Sequence, residues 1–197
     1  MTSTSAMSDP PACYSSRFVA ALSFAAETHA SQRRKGRVAL PYVTHLFAVC
    51  TLVWTYDGDE DQAIAALLHD AVEDGGGAPV LERIRRLFGD RVAGIVDAAT
   101  DSDSIDPTVK AEWRPRKKAH VAHAGTVDAD AALVMACDKL HNLTATVADL
   151  AVQGEHVFGN FKGGAEVKFR TSCGLLCGLR ERVEQWVDDF LREPFAG

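Results

Sequence analysis

Apolar residues return every three or four positions along most of this chain, a period that predicts helices. From Ser16, residues Phe18, Leu22, Ala25 and Ala26 share one face of a first helix running to about Gln32. The stretch Arg33–Leu40 breaks that pattern. Pro41 suits the first position of a second helix, with Val43, Leu46, Phe47, Cys50, Val53 and Trp54 on its apolar face. After a turn at Asp57–Asp59, residues Ile64, Leu67, Leu68 and Ala71 mark a third helix from Glu60, ended by Gly75-Gly76-Gly77. Pro79 opens a short helix through Ile84 and Phe88, closed by Gly89. Asp90 is placed to cap the next, which holds Val92, Ile95, Val96 and Ala99.

Thr100–Thr108 reads as an acidic loop and Trp113–His123 as a basic amphipathic stretch. Ala129–Leu150 predicts a longer helix, Gln153–Gly164 a glycine-containing connection, and Glu166–Leu191 a last helix. No segment alternates as a half-buried strand does. The expected fold is all-α, a compact bundle of roughly seven to eight helices at usual helix lengths. Residues 1–15 are expected to form a flexible tail and 16–197 a single domain.

Composition narrows what such a bundle does. Of 197 residues, 47% are hydrophobic and 24% charged, enough to bury a core. No apolar run reaches the ~18 residues of a membrane span, and Met1–Pro11 lacks the basic and apolar regions of a signal peptide. A cytoplasmic protein with no membrane partner is expected. The formal charge of −6 disfavours a broad nucleic-acid surface, which needs an excess of cations. Five cysteines without recurring spacing (Cys13, Cys50, Cys137, Cys173 and Cys177) suit no disulfide framework. Cys50 and Cys137 fall within apolar patterns and read as small hydrophobes. Cys173 and Cys177, four apart, have no second pair to complete a metal site and read as core.

Chemistry concentrates in Leu67-Leu68-His69-Asp70-Ala71-Val72-Glu73-Asp74. On a continuous helix, His69 and Glu73 form one column and Asp70 and Asp74 its neighbour. Three carboxylates at a helix C-terminus oppose the macrodipole, a local cost of ~1 kcal/mol. A bound cation offsets it; the plainer reading is an acidic, solvated helix end. His45, in Tyr42-Val43-Thr44-His45, sits beside apolar neighbours, as either a satisfied core residue or a ligand. Asp138 ends the apolar run Val134–Cys137. Burying it unpaired is costly, so it pairs with Lys139, with a distant arginine, or with a metal. Two imidazoles and two carboxylates suit a borderline divalent ion such as Mn²⁺, Fe²⁺ or Zn²⁺.

The ordered set His45, His69-Asp70, Asp138 resembles the HD-domain metal-dependent phosphohydrolases. Four segments, His29-Ala30-Ser31-Gln32-Arg33-Arg34-Lys35, Pro41-Tyr42-Val43-Thr44-His45, Ala65–Asp74 and Asp138-Lys139-Leu140-His141-Asn142, are similar to the hydrolase domain of RelA/SpoT proteins. The stand-alone small alarmone hydrolases, the metazoan SpoT homologue among them, are of similar size. The resemblance covers roughly residues 16–165 and implies an all-helical HD fold. It also implies removal of pyrophosphate from the 3′ position of ppGpp or pppGpp, with Mn²⁺ as cofactor.

Carried over residue by residue, the resemblance makes His45, His69, Asp70 and Asp138 the metal ligands. It makes Glu73 and Asp74 the pair that orients and deprotonates the attacking water, and Arg34, Lys35 and Asn142 substrate contacts. His141 is read as supporting structure. Without the family, Arg33–Arg37 reads as a solvated loop. The cluster Trp113-Arg114-Pro115-Arg116-Lys117-Lys118 is either an anion clamp or the basic face of a helix. Two departures bear on the base pocket: Gly36–Leu40 is longer than the family spacing, and Phe169-Arg170-Thr171-Ser172 stands where aromatic residues are expected. Alternatives are an HD phosphohydrolase acting on ppApp or another nucleotide, and an antitoxin neutralising a cognate small alarmone synthetase.

Eight cations (Arg33, Arg34, Lys35, Arg37, Arg114, Arg116, Lys117 and Lys118) lie in two short segments, leaving 13 basic side chains against 27 acidic ones elsewhere. An acidic chain with cations gathered in this way suits a compact phosphate site better than a nucleic-acid surface.

Overall fold

The segment Gln62–Leu68 carries no strongly exposed position, and in the computed structural model it is the buried axis of the molecule. Residues 13–100, 122–123 and 126–160 are described. They form α1 (Ser16–Thr28), α2 (Val43–Thr55), α3 (Glu60–Leu68), α4 (Ala71–Gly75), α5 (Ala78–Phe88), α6 (Asp90–Ala99) and α7 (Ala129–Gln153). A 3-10 turn, Gly154–Asn160, follows. The all-α architecture matches the periodicity, and among the described residues the only β pairing is an isolated bridge between Arg33 and Pro41.

α3 is enclosed by α1, α2, α6 and α7. Ile64, Leu67 and Leu68 are fully buried against Leu46, Val49 and Val53 of α2 and Val92 and Val96 of α6. Each such side chain contributes about 1.5–3 kcal/mol on leaving water. Cys50 and Cys137 lie in this core, and burial pushes both thiols up to about 12, so they act as hydrophobes.

Two aspartates start the helices that matter most. Asp59 caps α3 in a reciprocal capping box with Gln62, and Asp128 caps α7 by accepting from Ala131 N–H. Arg91 ties these two starts together: its guanidinium lies 2.6 Å from Asp59 Oδ2 and 2.8 Å from Asp130 Oδ2. Gln62 Nε2 also donates to Asp130 Oδ1 at 3.3 Å.

Several boundaries differ from the sequence expectation. α1 stops at Thr28, because residues 29–32 turn into the Arg33–Pro41 bridge. There Arg34 N–H donates to Leu40 O at 2.8 Å and Tyr42 N–H to Gln32 O at 3.0 Å. Pro41, held in that bridge, precedes α2 and does not open it. Asp90 is not the cap of α6; Gly89 occupies that position at φ +92°, and Asp90 sits in the first turn, 3.4 Å from Arg85. The expected helix from Glu60 to Gly75 is two helices, broken at His69-Asp70. The basic cluster Trp113–Lys118, Cys173, Cys177, the last helix Glu166–Leu191 and most of the N-terminal tail lie outside the described residues.

Candidate metal centre and adjoining pocket

Neighbouring residues on a helix point about 100° apart at 3.6 residues per turn, so His69 and Asp70 cannot both face one point on an unbroken helix. The break removes that restriction. Asp70 takes φ −96°, ψ −4°, the bridge region where active-site residues are often found. The His69 ring meets Ala66 O through Nδ1 at 2.8 Å, and that carbonyl is the group a continuing helix would offer to Asp70 N–H. His69 Nε2 then lies 3.0 Å from Asp70 Oδ2.

His45 reaches the same point from α2, its Nε2 3.7 Å from Asp70 Oδ2. His45, His69 and Asp70 offer ligand atoms that all lie within 4.8 Å of one another. Asp138 approaches from α7, with Oδ1 3.2 Å from His45 Nε2 and 3.7 Å from His69 Nε2. Its other oxygen, Oδ2, meets Lys139 Nζ at 2.5 Å. Asp138 therefore faces both the lysine and the imidazoles, one oxygen to each. Both imidazoles and Asp138 are buried.

The donor set fits a cation on electrostatic grounds. With Nδ1–H given to Ala66, a neutral His69 presents the lone pair of Nε2 to two carboxylates, acceptor facing acceptor. That buried nitrogen has no hydrogen-bond partner. Protonation is one remedy. Burial opposes it, but Asp70 and Asp138 outweigh burial and hold His69 well above the ordinary histidine range. A cation at the centre is the other, and it satisfies both carboxylates as well. Burial lowers His45, against the pull of Asp138, so that ring is neutral and suited to ligation. Asp70 and Asp138, although desolvation works against it, are held below the usual carboxylate range, Asp70 chiefly by His69 and Asp138 chiefly by Lys139 and the two histidines. Two imidazoles with carboxylate oxygen suit a divalent metal.

An outer layer orients these groups. Tyr42 donates its phenolic hydrogen to Asp70 Oδ2 at 2.6 Å. Its hydroxyl stays protonated because burial and the Asp70 charge raise its pKa. His141 Nδ1 lies 2.8 Å from His45 Nδ1. His29, buried, stacks on Tyr42 with ring centroids 5.0 Å apart and lies 3.8 Å from Asp74 Oδ2. The sequence argument read His141 as supporting structure and gave Tyr42 and His29 no role at the centre, although each sits inside one of the quoted motifs.

A cavity of about 370 Å³ adjoins the centre, lined by Arg34, Lys35, Tyr42, Asp74, Asn142 and Asp149 among others. Arg34 Nη2 donates to Asn142 Oδ1 at 2.7 Å, and Asn142 Nδ2 donates in turn to Asp138 Oδ1. Arg34 also lies over Tyr42, 5.7 Å from the ring centroid. Arg34, Lys35, Asn142 and Asp74 are thus gathered beside the four candidate ligands. Glu73 is exposed on α4 and is not among the lining residues.

The HD domain pattern matches this chain over residues 21–161. The chain belongs to the HD-domain family. Among HD-domain relatives, the guanosine-3′,5′-bis(diphosphate) 3′-pyrophosphohydrolase MESH1 of Drosophila melanogaster is 37% identical over 131 residues, covering 66% of this chain and 69% of the fly protein. The Xenopus tropicalis protein of the same name is 39% identical over 125 residues, covering 62% of this chain and 65% of its own length. The human one is 35% identical over 125 residues, with the same coverage. The chain thus matches 65–69% of the length of these relatives. A solved metazoan SpoT orthologue, described as hydrolysing ppGpp with a role in starvation responses, superposes with a TM-score of 0.73 at 30% identity. That match covers 92% of this chain and 97% of the other. A Listeria monocytogenes structure matches at 27% identity and a TM-score of 0.64, covering 75% of this chain and 94% of its own. The helical HD fold expected from the motifs is the fold observed.

Proposed function

We propose that this HD-domain chain is a metal-dependent 3′-pyrophosphohydrolase acting on guanosine 3′,5′-bis(diphosphate), with Mn²⁺ as its ion and the cytoplasm as its place of work. The observation that carries the reading is the contact between the imidazole–carboxylate cluster and a cation-bearing cavity. Tyr42 and Asn142 each touch a cluster carboxylate and also line the cavity. The names of the relatives supply the substrate.

His45, His69, Asp70 and Asp138 would hold the ion. When bound, it lowers the pKa of water and polarises a phosphoryl oxygen. The remaining work falls to the chain. Asp74, which lines the cavity, takes the proton of the attacking water, and His29, 3.8 Å away, limits the positions its carboxylate can adopt. The family resemblance assigns Glu73 to the same step, from outside the residues that line the cavity. Arg34 and Lys35 counter the phosphate charge. Asn142 holds Arg34 in register with Asp138. Water attacks the phosphorus attached to the ribose 3′ oxygen, and the bond between them breaks. Hydroxide ends on pyrophosphate and a proton on the 3′ oxygen of GDP. A cognate small alarmone synthetase is the partner whose product such an enzyme removes.

Purified protein is incubated with ppGpp and Mn²⁺, with and without EDTA. Equimolar GDP and pyrophosphate, abolished by EDTA, is the expected result. Release of orthophosphate, or turnover unaffected by chelation, would overturn the reading.

A further inference from the structure

The cavity is not uniformly cationic. Arg34 reaches Asn142 beside the cluster, while Asp149, seven residues beyond Asn142 on α7, places a carboxylate against the Gly36–Arg37 part of the same loop. Asp149 lies eleven residues after Asp138 on α7, about 16 Å along the axis at 1.5 Å per residue. A 3′-phosphate, ribose and purine laid end to end cover that span. The carboxylate repels phosphate, so the uncharged end of a nucleotide is the part that suits it.

The loop between α1 and α2 closes the cavity at Asp149. Arg37 N–H donates to Asp149 Oδ2 at 3.0 Å, and Arg37 Nε lies 4.0 Å from Oδ1. Gly36 approaches so closely that a Cβ there would fall 2.7 Å from Asp149 Oδ2, and its φ of +151° further favours glycine. Oδ2 is thereby fixed against the loop. A carboxylate has about four lone-pair positions, so Oδ1 and the second lone pair of Oδ2 remain for a ligand.

Resting on the pyrophosphohydrolase reading, we infer that Asp149 is a specificity-determining residue that selects guanine over adenine. The Watson–Crick edge of guanine offers two adjacent donors, N1–H and the N2 amine, and a fixed carboxylate accepts both. Adenine offers one donor and one acceptor there. Its N1 lone pair faces the negative oxygen, and the mismatch leaves a polar group opposed.

The test compares kcat/KM on ppGpp and ppApp, and equilibrium binding of GDP and ADP, for the full chain and three variants. The wild type is expected to prefer the guanine compounds by at least about tenfold, the discrimination a bidentate pair provides. Asp149→Asn keeps an oxygen for Arg37 N–H but turns an amide donor to the base. It is expected to move both ratios toward adenine by a similar factor. Asp149→Ala removes the preference without reversing it, and Arg37→Ala leaves the ratio in place. Ratios unchanged in both Asp149 variants, or absent in the wild type, would overturn the base assignment while hydrolysis of ppGpp stands. Asp149-dependent guanine binding without hydrolysis would overturn the activity and leave the base assignment standing.

Discussion

The imidazoles of His45 and His141 meet Nδ1 to Nδ1 at 2.8 Å, and one proton must lie between them. Burial, together with the nearby His45 and Arg34, lowers His141 to about 4, so near neutral pH it is an acceptor. His45 then donates from Nδ1, and its Nε2 lone pair is turned toward Asp70 and Asp138. One histidine sets the tautomer of another.

Replacing that acceptor tests the relation. His141→Phe is expected to weaken Mn²⁺ binding by about 10–100-fold, the usual effect of losing an outer-layer partner. His141→Gln, whose side-chain oxygen accepts, is expected to recover part of the loss. Titration calorimetry of the purified variants reads both. Wild-type affinity in His141→Phe would show that His45 needs no partner.

Ligation and proton transfer separate by position. Asp74→Ala is expected to retain the metal while losing about 10²–10⁴-fold in kcat/KM, the range of general-base catalysis. His69→Ala is expected to lose both. Glu73→Ala is likewise expected to keep the metal and lose turnover. Metal content by elemental analysis, beside pyrophosphate release, separates His69→Ala from the two carboxylate variants. Full turnover in Asp74→Ala would reassign the base.

The cap of α3 carries a pH dependence. Asp59 is held below its ordinary value: partial burial works against this, but the hydrogen bonds from Gln62 N–H and Arg91 prevail. With the unfolded carboxyl near ~3.9, its contribution is complete above that value. It is lost as pH falls through the lower folded value. Asp59→Asn keeps a good cap but drops the charge, whereas Asp59→Ala costs about 1 kcal/mol at neutral pH. Urea midpoints at pH 7 and pH 3 should fall less for Asp59→Asn than for wild type.

The fold was legible because burial writes its period into the sequence. Ile64, Leu67 and Leu68 declare α3, and Leu46, Val49, Cys50 and Val53 declare α2. The break at His69-Asp70 was not legible. Each residue there is compatible with helix, and only the need to aim two adjacent side chains at one place interrupts it. The chemistry-bearing types His45, His69, Asp70 and Asp138 stood out because ionisable residues are rare on apolar faces. Tyr42 and His29 did not, since an aromatic ring near a helix start is usually packing. Arg33–Pro41 misled for a different reason. Its bridge depends on backbone hydrogen bonds, which leave no mark on hydropathy.

The Arg91 clamp has a bearing on distance. It holds the α3 cap Asp59 to Asp130 in the first turn of α7, and the two caps, Asp59 and Asp128, each stand ten residues before a cluster residue, His69 on one side and Asp138 on the other. α3 and α7 therefore set out side by side, run the same way, and reach the cluster after equal strides of about 15 Å at 1.5 Å per residue. Removing one residue from either stride would shorten it by 1.5 Å and swing its end by about 100°. Side chains between cap and cluster can be exchanged for others of similar volume, but their number cannot change.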